Sequence, residues 1–363
     1  MVKEEGKMKI FIKRGNYIII TVALVVFVLL LTTCKRFESV VFINSAIEQV
    51  QTAEEFFARG IRFTLNGNFD QGIIDFDHLI QLNPNPNLAK AYNWRGYAYY
   101  KKQDYDKAIS DYTEAIRIAP YADFLATVYH SRGNMYHEKQ DYDKAISDYT
   151  EAIRIAPYAD FLATVYHSRG NTYNEKQNYD KAVADYTEAI RLRLDPNHVH
   201  ICYRRGNIYY KKQDYDKAIS DYTEVIRLDP NYMYAYRNRG LTYYKKQNYD
   251  KAISDYTEVI RLAPNYVHAY RNRGLTYYKK QDYDKAISDY TEAIQLAPND
   301  ADLYFLRGSA YYIKQKYNKA IADYIEAIRL NPNDAYAKEF LEYVLWQRQQ
   351  ERYYKTLSDE GIG

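Results

Sequence analysis

The sequence predicts an all-α solenoid of eight helix–turn–helix repeats, followed by a C-terminal capping helix and preceded by one hydrophobic N-terminal helix. Three observations lead to this fold class. Glycine recurs every 34 to 37 residues from Gly60 to Gly308, and aromatic residues recur at fixed distances from each glycine. In addition, residues 102–134 and 139–171 are identical, both reading KQDYDKAISDYTEAIRIAPYADFLATVYHSRGN. Such a period is typical of chains in which each unit packs on its neighbours.

Each unit has the spacing of two helices joined by a short turn. Aromatic side chains stand three, nine and sixteen residues after every glycine, and alanine stands twelve after it in seven of the eight units. The positions nine, twelve and sixteen residues after the glycine form one apolar stripe on a helix. An Asp or Asn after KKQ or EKQ can cap the second helix in most units. The glycine allows the two helices to approach closely.

This pattern resembles the tetratricopeptide repeat family, whose signature places an aromatic residue, glycine, aromatic, alanine, aromatic, alanine and proline in a 34-residue unit. The resemblance implies a right-handed superhelix, with first helices lining a concave groove and second helices forming a convex back. The repeats are assigned to residues 53–86, 89–122, 126–159, 163–196, 199–232, 233–266, 267–300 and 301–334, the capping helix to 335–356 and a tail to 357–363. We expect the capping helix to become increasingly polar towards its end.

Charged residues also recur at two positions of the unit. Arg precedes each of the eight glycines, where the family usually has Leu, and Asp follows each of them by fifteen residues. We predict that these Arg and Asp side chains pair, within or between repeats, and fix the register of the stack. The alternative is two separate solvated faces.

The N-terminal sequence is typical of a membrane anchor or an export signal. A basic tail (1–16) precedes the uncharged segment 17–33, which is slightly short for a membrane span and slightly long for a signal peptide. The basic residues before this segment predict a cytoplasmic N-terminus and an extracytoplasmic repeat domain in the cell envelope. The sequence Leu31 to Cys34 resembles a lipoprotein signal, so the alternative is lipidation at Cys34. A linker (34–52) follows.

Charge and motifs exclude several classes of function. The net charge is +3, and it lies within the first 50 residues, so the repeats lack the basic excess of a nucleic-acid-binding protein. The sequence has no phosphate-binding loop, dinucleotide fingerprint, zinc-protease motif or nucleophile elbow. Its carboxylates recur in every repeat, whereas an active site is unique. We therefore predict a protein that is not an enzyme and needs neither a cofactor nor a metal.

The resemblance, together with helical phase, predicts a ligand-binding groove on the first helices of repeats 5 to 7. Its residues form a basic and aromatic stripe: Tyr203, Arg204, Asn207, Tyr210, Lys211, Arg237, Asn238, Tyr244, Lys245, Arg271, Asn272, Tyr278 and Lys279. The equivalent residues of repeats 3 and 4 are neutral to acidic: His130, Ser131, Asn134, His137, Glu138, His167, Ser168, Asn171, Asn174 and Glu175. Arg and Lys bind carboxylates, Asn bonds to peptide backbone, and Tyr offers flat contact area.

The predicted function is a membrane-tethered scaffold that binds protein or peptide segments, including segments with acidic side chains or a C-terminal carboxylate. The stripe partly resembles the carboxylate clamps of the family, although the Lys expected early in the first clamp helix is missing. Three alternatives remain: a glycan-binding or cell-wall-binding envelope protein, a single-stranded RNA binder and a spacer that associates with itself. The charge balance and the export signal argue against RNA.

The two readings of the N-terminus predict different masses. An anchor that is retained gives a full-length, unmodified chain, whereas lipidation gives a chain that begins at a modified Cys34. Intact mass spectrometry of the protein extracted from membranes distinguishes them. We expect the full-length mass, and a shortened, lipid-bearing chain would contradict the anchor.

Overall fold

The computed structural model describes residues 52–82, 87–119, 121–156, 158–192 and 199–359, and the regular elements within these ranges are all helices. The predicted anchor 17–33 and Cys34 lie outside the described residues. Within the described ranges, no helix combines the length and the hydropathy that crossing a bilayer requires. The helices form two compact units, divided between Gln140 and Asp141.

The first unit contains two helix pairs and one further helix. These are α1 (52–65), α2 (Phe69–Leu82), α3 (Leu88–Lys101), α4 (Tyr105–Ile118) and α5 (Ala122–Glu138). The second unit begins with α6 (Tyr142–Ile155), continues with five pairs and ends with one long helix. The pairs are α7 (Ala159–Glu175) with α8 (Tyr179–Leu192), α9 (Val199–Lys211) with α10 (Tyr215–Leu228), α11 (Met233–Lys245) with α12 (Tyr249–Leu262), α13 (Val267–Lys279) with α14 (Tyr283–Leu296), and α15 (Ala301–Ile313) with α16 (Tyr317–Leu330). The long helix is α17 (Ala335–Asp359).

The turn within each pair has one backbone conformation. A Gln in the left-handed region ends the first helix, as at Gln213 with φ of 62°, and Gly67 takes this role in the first pair with φ of 83°. In several pairs the next residue caps the second helix, as where the Asp104 carboxylate accepts a hydrogen bond of 3.3 Å from the Lys107 backbone N–H, whereas Lys316 in the last pair makes no such bond. The predicted caps are therefore confirmed at the Asp104 turn.

A buried aromatic residue on the second helix, Phe76 in the first pair and tyrosine in the later ones, packs against the glycine of the first helix. The Tyr290 side chain is fully buried, and a Cβ added at Gly274 would lie 2.7 Å from its ring. A larger residue at Gly274 would displace this ring, so the close approach requires glycine. Alanines at the neighbouring stripe positions, such as Ala286 and Ala293, complete the core.

The recurring Arg and Asp pair within their own repeat. In the second unit, Arg239 donates two hydrogen bonds to the Asp255 carboxylate, from Nε at 2.9 Å and from Nη2 at 2.7 Å. The same two-pronged contact occurs in six further repeats among the described residues: Arg59–Asp75, Arg95–Asp111, Arg169–Asp185, Arg205–Asp221, Arg273–Asp289 and Arg307–Asp323. This confirms the predicted pairing and selects its within-repeat form.

The same arginines also reach the preceding repeat. Nη1 of Arg239 donates a hydrogen bond of 3.0 Å to the hydroxyl of Thr223, which lies on the preceding second helix. Burial raises the pKa of Asp255 although Arg239 opposes this shift, and Asp255 raises the pKa of Arg239 although burial opposes that one. The pair therefore fixes the position of three helices more than it adds net stability.

The terminal helix α17 packs along one face and exposes aromatic residues on the other. Ala337 and Val344 are fully buried against the last pair. Trp346, Tyr353 and Tyr354, however, are all more than half exposed. These exposed rings stand beside the polar run QRQQER at residues 347–352, in the second half of the helix.

Removing one partner of an Arg–Asp pair should lower the free energy of unfolding by more than the intact pair contributes to it. We expect Arg239→Met or Asp255→Leu alone to lower the free energy of unfolding by about 3 kcal/mol, because each leaves a buried polar partner unsatisfied. The double variant should lose less than the sum, with a coupling of about 1–3 kcal/mol. Urea unfolding of the four proteins measures this cycle.

The matched control is the exposed pair Arg227–Glu224, whose side chains are 65% and 37% exposed. Its coupling should stay below about 0.5 kcal/mol. Equal coupling in the two cycles would contradict the role assigned to the buried pair.

Candidate functional site

The predicted groove residues lie on three first helices of the second unit: α9, α11 and α13. The structure brings five of them together around one cavity of about 330 Å³. These are Arg204, Asn207, Tyr210, Lys211 and Asn238, and the lining is completed by Asn174, Tyr222 and Leu241. None of these eight residues is acidic, so the cavity carries positive charge.

Hydrogen bonds between side chains fix one wall of this cavity. The Asn207 Oδ1 atom accepts from the Tyr222 hydroxyl at 2.8 Å and from Asn238 Nδ2 at 2.9 Å. Asn238 Nδ2 also donates to the Tyr203 hydroxyl at 3.0 Å. The network joins α9, α10 and α11, so these amides are held in place before any ligand arrives.

Repeats 6 and 7 lack the amide that satisfies the buried tyrosine. Leu241 and Leu275 occupy the position that Asn207 has in repeat 5. The fully buried Tyr290 hydroxyl has no hydrogen-bond partner among the described residues, and its pKa is raised, chiefly by burial. Arg271 is one of the charges that act on this phenol.

Two arginines of the stripe also keep a buried donor unpaired. Within the described part of the chain, the Nε atoms of Arg237 and Arg271 have no hydrogen-bond partner. Arg271 also contacts Asp302 through Nη2 at 3.2 Å, but the Asp302 side chain is 65% exposed, so this ion pair is weak. Unpaired N–H donors of a cation are suited to an anionic acceptor.

The remaining predicted residues lie along the same helices outside the cavity. The rings of Tyr244 and Tyr278 pack beside Tyr249 and Tyr283, at 5.8 and 5.3 Å between ring centroids. Lys245 and Lys279 are exposed. The cavity lining includes neither these two lysines, nor Tyr244, Tyr278 or Asn272.

Comparison with known families assigns the repeats. Tetratricopeptide repeat models match residues 87–158, 163–196, 237–301 and 271–335, and a TPR repeat model matches 206–247. Together these matches span about two thirds of the chain. It is a tetratricopeptide repeat protein. The family resemblance of the repeats is thereby confirmed.

A solved repeat-protein structure with a TM-score of 0.59 shares the fold. The C-terminal part of a repeat-containing protein from Cytophaga hutchinsonii is 21% identical, with a TM-score of 0.59 over 67% of this chain and 97% of the other. A tetratricopeptide repeat protein from Parabacteroides merdae is also 21% identical, with a TM-score of 0.48 over 71% and 98%. YrrB, described as having an unusual peptide-binding site, is 24% identical, with a TM-score of 0.47 over 56% and 97%. No curated protein matches the sequence.

The tetratricopeptide repeat fold supports a role as a protein-interaction scaffold and is typical of proteins without catalytic activity. In the described ranges, no group of three or more His, Cys, Asp or Glu side chains could hold a metal ion. Burial raises the pKa of the Cys202 thiol to about 12, and the side chain is 2% exposed. This cysteine is therefore a core residue.

Two tyrosines near the site are not among the groove residues that the sequence predicts. Tyr222 and Tyr290 follow their glycines by sixteen residues, a position that the periodicity assigns to the core. Their rings are indeed buried, but the Tyr222 hydroxyl reaches the cavity wall. The sequence feature that indicates whether the buried tyrosine has a partner is the residue after each glycine, which changes from Asn207 to Leu241 and Leu275. Asn174 was recognised only as part of the neutral lining of repeat 4.

The buried tyrosines should make the protein sensitive to alkali. Burial raises the pKa of Tyr186 and of Tyr324 to about 12, from an ordinary value of 10.0. The folded state thus holds these protons more tightly than the unfolded state. Their contribution to stability is complete below pH 10 and is lost as the pH rises towards 12. Phenolate absorbance should show an early phase from exposed tyrosines and a late phase that coincides with loss of helix.

Two matched variants assign these phases. Tyr354 is 65% exposed, so Tyr354→Phe should reduce only the early phase, whereas Tyr324→Phe should reduce only the late one. A single phase near pH 10 in all three proteins would contradict the burial of these hydroxyls.

Proposed function

We propose that the protein is a non-catalytic scaffold tethered to a membrane, which binds segments of other proteins along the first helices of repeats 5 to 7. The tetratricopeptide repeat fold supports the binding role. The uncharged segment 17–33, flanked by basic residues, supports the tether, with the repeats on the extracytoplasmic side. Lipidation at Cys34 is the alternative form of attachment.

The observation that carries the proposal is the pair of partly exposed guanidinium groups on α11 and α13, which belong to Arg237 and Arg271. A buried polar group without a partner costs about 1–3 kcal/mol. Arg237 and Arg271 each keep one such N–H donor, and the Tyr290 hydroxyl is a third group of this kind. These buried atoms have no contact with solvent, so a carboxylate of a bound acidic segment accepts instead from the exposed N–H groups of the two guanidinium ions.

Exposed cations extend this preference along the groove. Arg204 and Lys211 stand at the cavity, and Lys245 and Lys279 repeat the position of Lys211 on the next two first helices. Cations at regular intervals attract a segment with several acidic side chains, or one that ends in a free carboxylate. This attraction speeds association and weakens with salt.

The amides of the cavity add contacts that do not depend on charge. Asn174 Oδ1 is a buried acceptor without a partner among the described residues, and it shares the cavity with the guanidinium of Arg204. An acceptor and a donor within one cavity are complementary to the N–H and C=O of a peptide group. Such contacts would hold the backbone of the segment while the cations bind its carboxylates.

A glycan ligand is the second candidate, and the cavity itself favours it. Two tyrosines and three asparagines line the space, and sugars bind to such combinations of rings and amides. Salt distinguishes the two ligand classes. Affinity for an acidic segment should fall with ionic strength, whereas affinity for an uncharged glycan should barely change.

A labelled peptide of alternating Glu and Ser residues tests the proposal. We expect it to bind to the full chain in detergent, and we expect Arg237→Met with Arg271→Met to weaken binding by about tenfold or more, because two charge-assisted hydrogen bonds are lost. Fluorescence anisotropy at low and high salt gives the affinities.

The control variant is Lys217→Met with Lys251→Met. It removes the same charge from two second helices, where these lysines lie over Tyr209 and Tyr243. Unchanged affinity in this variant supports a specific groove. Equal weakening in both variants, or no binding to the wild type, would contradict the proposal.

A further inference from the structure

The charged lining of the groove ends at repeat 8. Lys211, Lys245 and Lys279 occupy the position five residues after the glycine in repeats 5, 6 and 7, and all three are exposed. The equivalent residue of repeat 8 is Ile313, which is 43% exposed. One row of surface positions thus changes from cationic to aliphatic within a single repeat.

The neighbouring positions change in the same direction. Arg237 and Arg271 stand three residues before their glycines, and repeat 8 has Phe305 at this position, packed against Tyr324 and Phe340 at 5.5 Å between ring centroids in both cases. Two cations of repeat 8 are committed to other partners: Arg307, in the middle of α15, pairs with Asp323, and Lys314, the residue after α15, pairs with Asp284.

An exposed aromatic surface continues from Ile313 onto the terminal helix. The Tyr312 ring lies 5.8 Å from the ring of Tyr343, which stacks on Trp346 at 6.2 Å. The Tyr343 side chain is 47% exposed and that of Trp346 is 53% exposed. We call Ile313, Tyr343 and Trp346 the apolar end of the groove.

This surface is continuous with the proposed binding site. Tyr210 and Lys211 line the cavity side by side, and Tyr312 and Ile313 hold the same two positions on α15. A segment that follows the first helices through repeats 5 to 7 therefore meets the apolar end next.

We propose that the partner segment is bipartite, with an acidic stretch bound to repeats 5 to 7 and an adjoining aromatic or aliphatic stretch bound to the apolar end. This inference rests on the proposed function, because it assigns two parts of one ligand to two parts of one groove. Burial of an exposed aromatic surface supplies affinity that salt does not screen, while the acidic part supplies the orientation.

Three labelled peptides test the inference: the Glu–Ser peptide alone, the same peptide with Leu-Trp at its C-terminus, and the same peptide with Leu-Trp at its N-terminus. Each is titrated into the full chain in detergent, the wild type and three variants. Ile313→Lys restores the cation of the other repeats, and Trp346→Gln removes the exposed ring. Ile325→Lys is the matched control for Ile313→Lys. Ile325 is likewise an exposed isoleucine, at 53% exposure, but it lies on the second helix α16 of the same repeat.

We expect one of the two Leu-Trp peptides to bind at least about fivefold more tightly than the Glu–Ser peptide. Ile313→Lys and Trp346→Gln should each remove most of this gain, and Ile325→Lys should retain it. Equal affinity of all three peptides for the wild type, or equal loss of the gain in Ile325→Lys and Ile313→Lys, would overturn the bipartite segment while the acidic groove stands. Failure of every peptide to bind would overturn the groove and this inference together.

Discussion

A guanidinium on the first helix of the repeats after the first connects helices of two neighbouring repeats, and the rest of the structure depends on this contact. Arg239 bonds to Asp255 on its own second helix and to Thr223 on the preceding one. The buried carboxylate is stable only where the guanidinium reaches it, so a shifted helix would leave a charge unpaired. Repetition of this contact sets the same spacing from one repeat to the next within each unit.

This constant frame leaves the outer positions of the first helices free to vary. The glycine, the buried tyrosine and the Arg–Asp pair recur with little change, whereas the residue after the glycine is Asn207, Leu241, Leu275 or Ser309. Its identity decides whether the buried tyrosine is satisfied internally, as at Tyr222, or keeps an unpaired hydroxyl, as at Tyr290. Stability and binding therefore reside in different positions of one repeat, and the groove can change its chemistry without loss of the stack.

The fold could be read from the sequence because its causes are local and periodic. The spacing of Gly240, Tyr243, Tyr249 and Tyr256 is enough to place two helices, and the Arg–Asp spacing predicts the pair. The site could be read only in part. Helical phase identifies Arg204 and Asn207, but it cannot tell that Arg237 keeps an unpaired Nε while the Asn238 amide donates two hydrogen bonds, because that difference arises from the neighbouring repeat. The exposed rings on the outer face of α17 could not be predicted for a related reason, since composition does not show which face of a helix packs.

The most direct test of the central claim is affinity capture from solubilised native membranes with three full-length baits. One is the wild type, one has the groove cations neutralised, and one has an equal number of second-helix lysines neutralised. The groove set is Arg204, Lys211, Arg237, Lys245, Arg271 and Lys279, and the control set is Lys107, Lys181, Lys217, Lys251, Lys285 and Lys319. The account predicts that the same proteins bind to the wild type and the control bait and are lost from the groove variant. Retention of those proteins by the groove variant, or their equal loss from both variants, would contradict it.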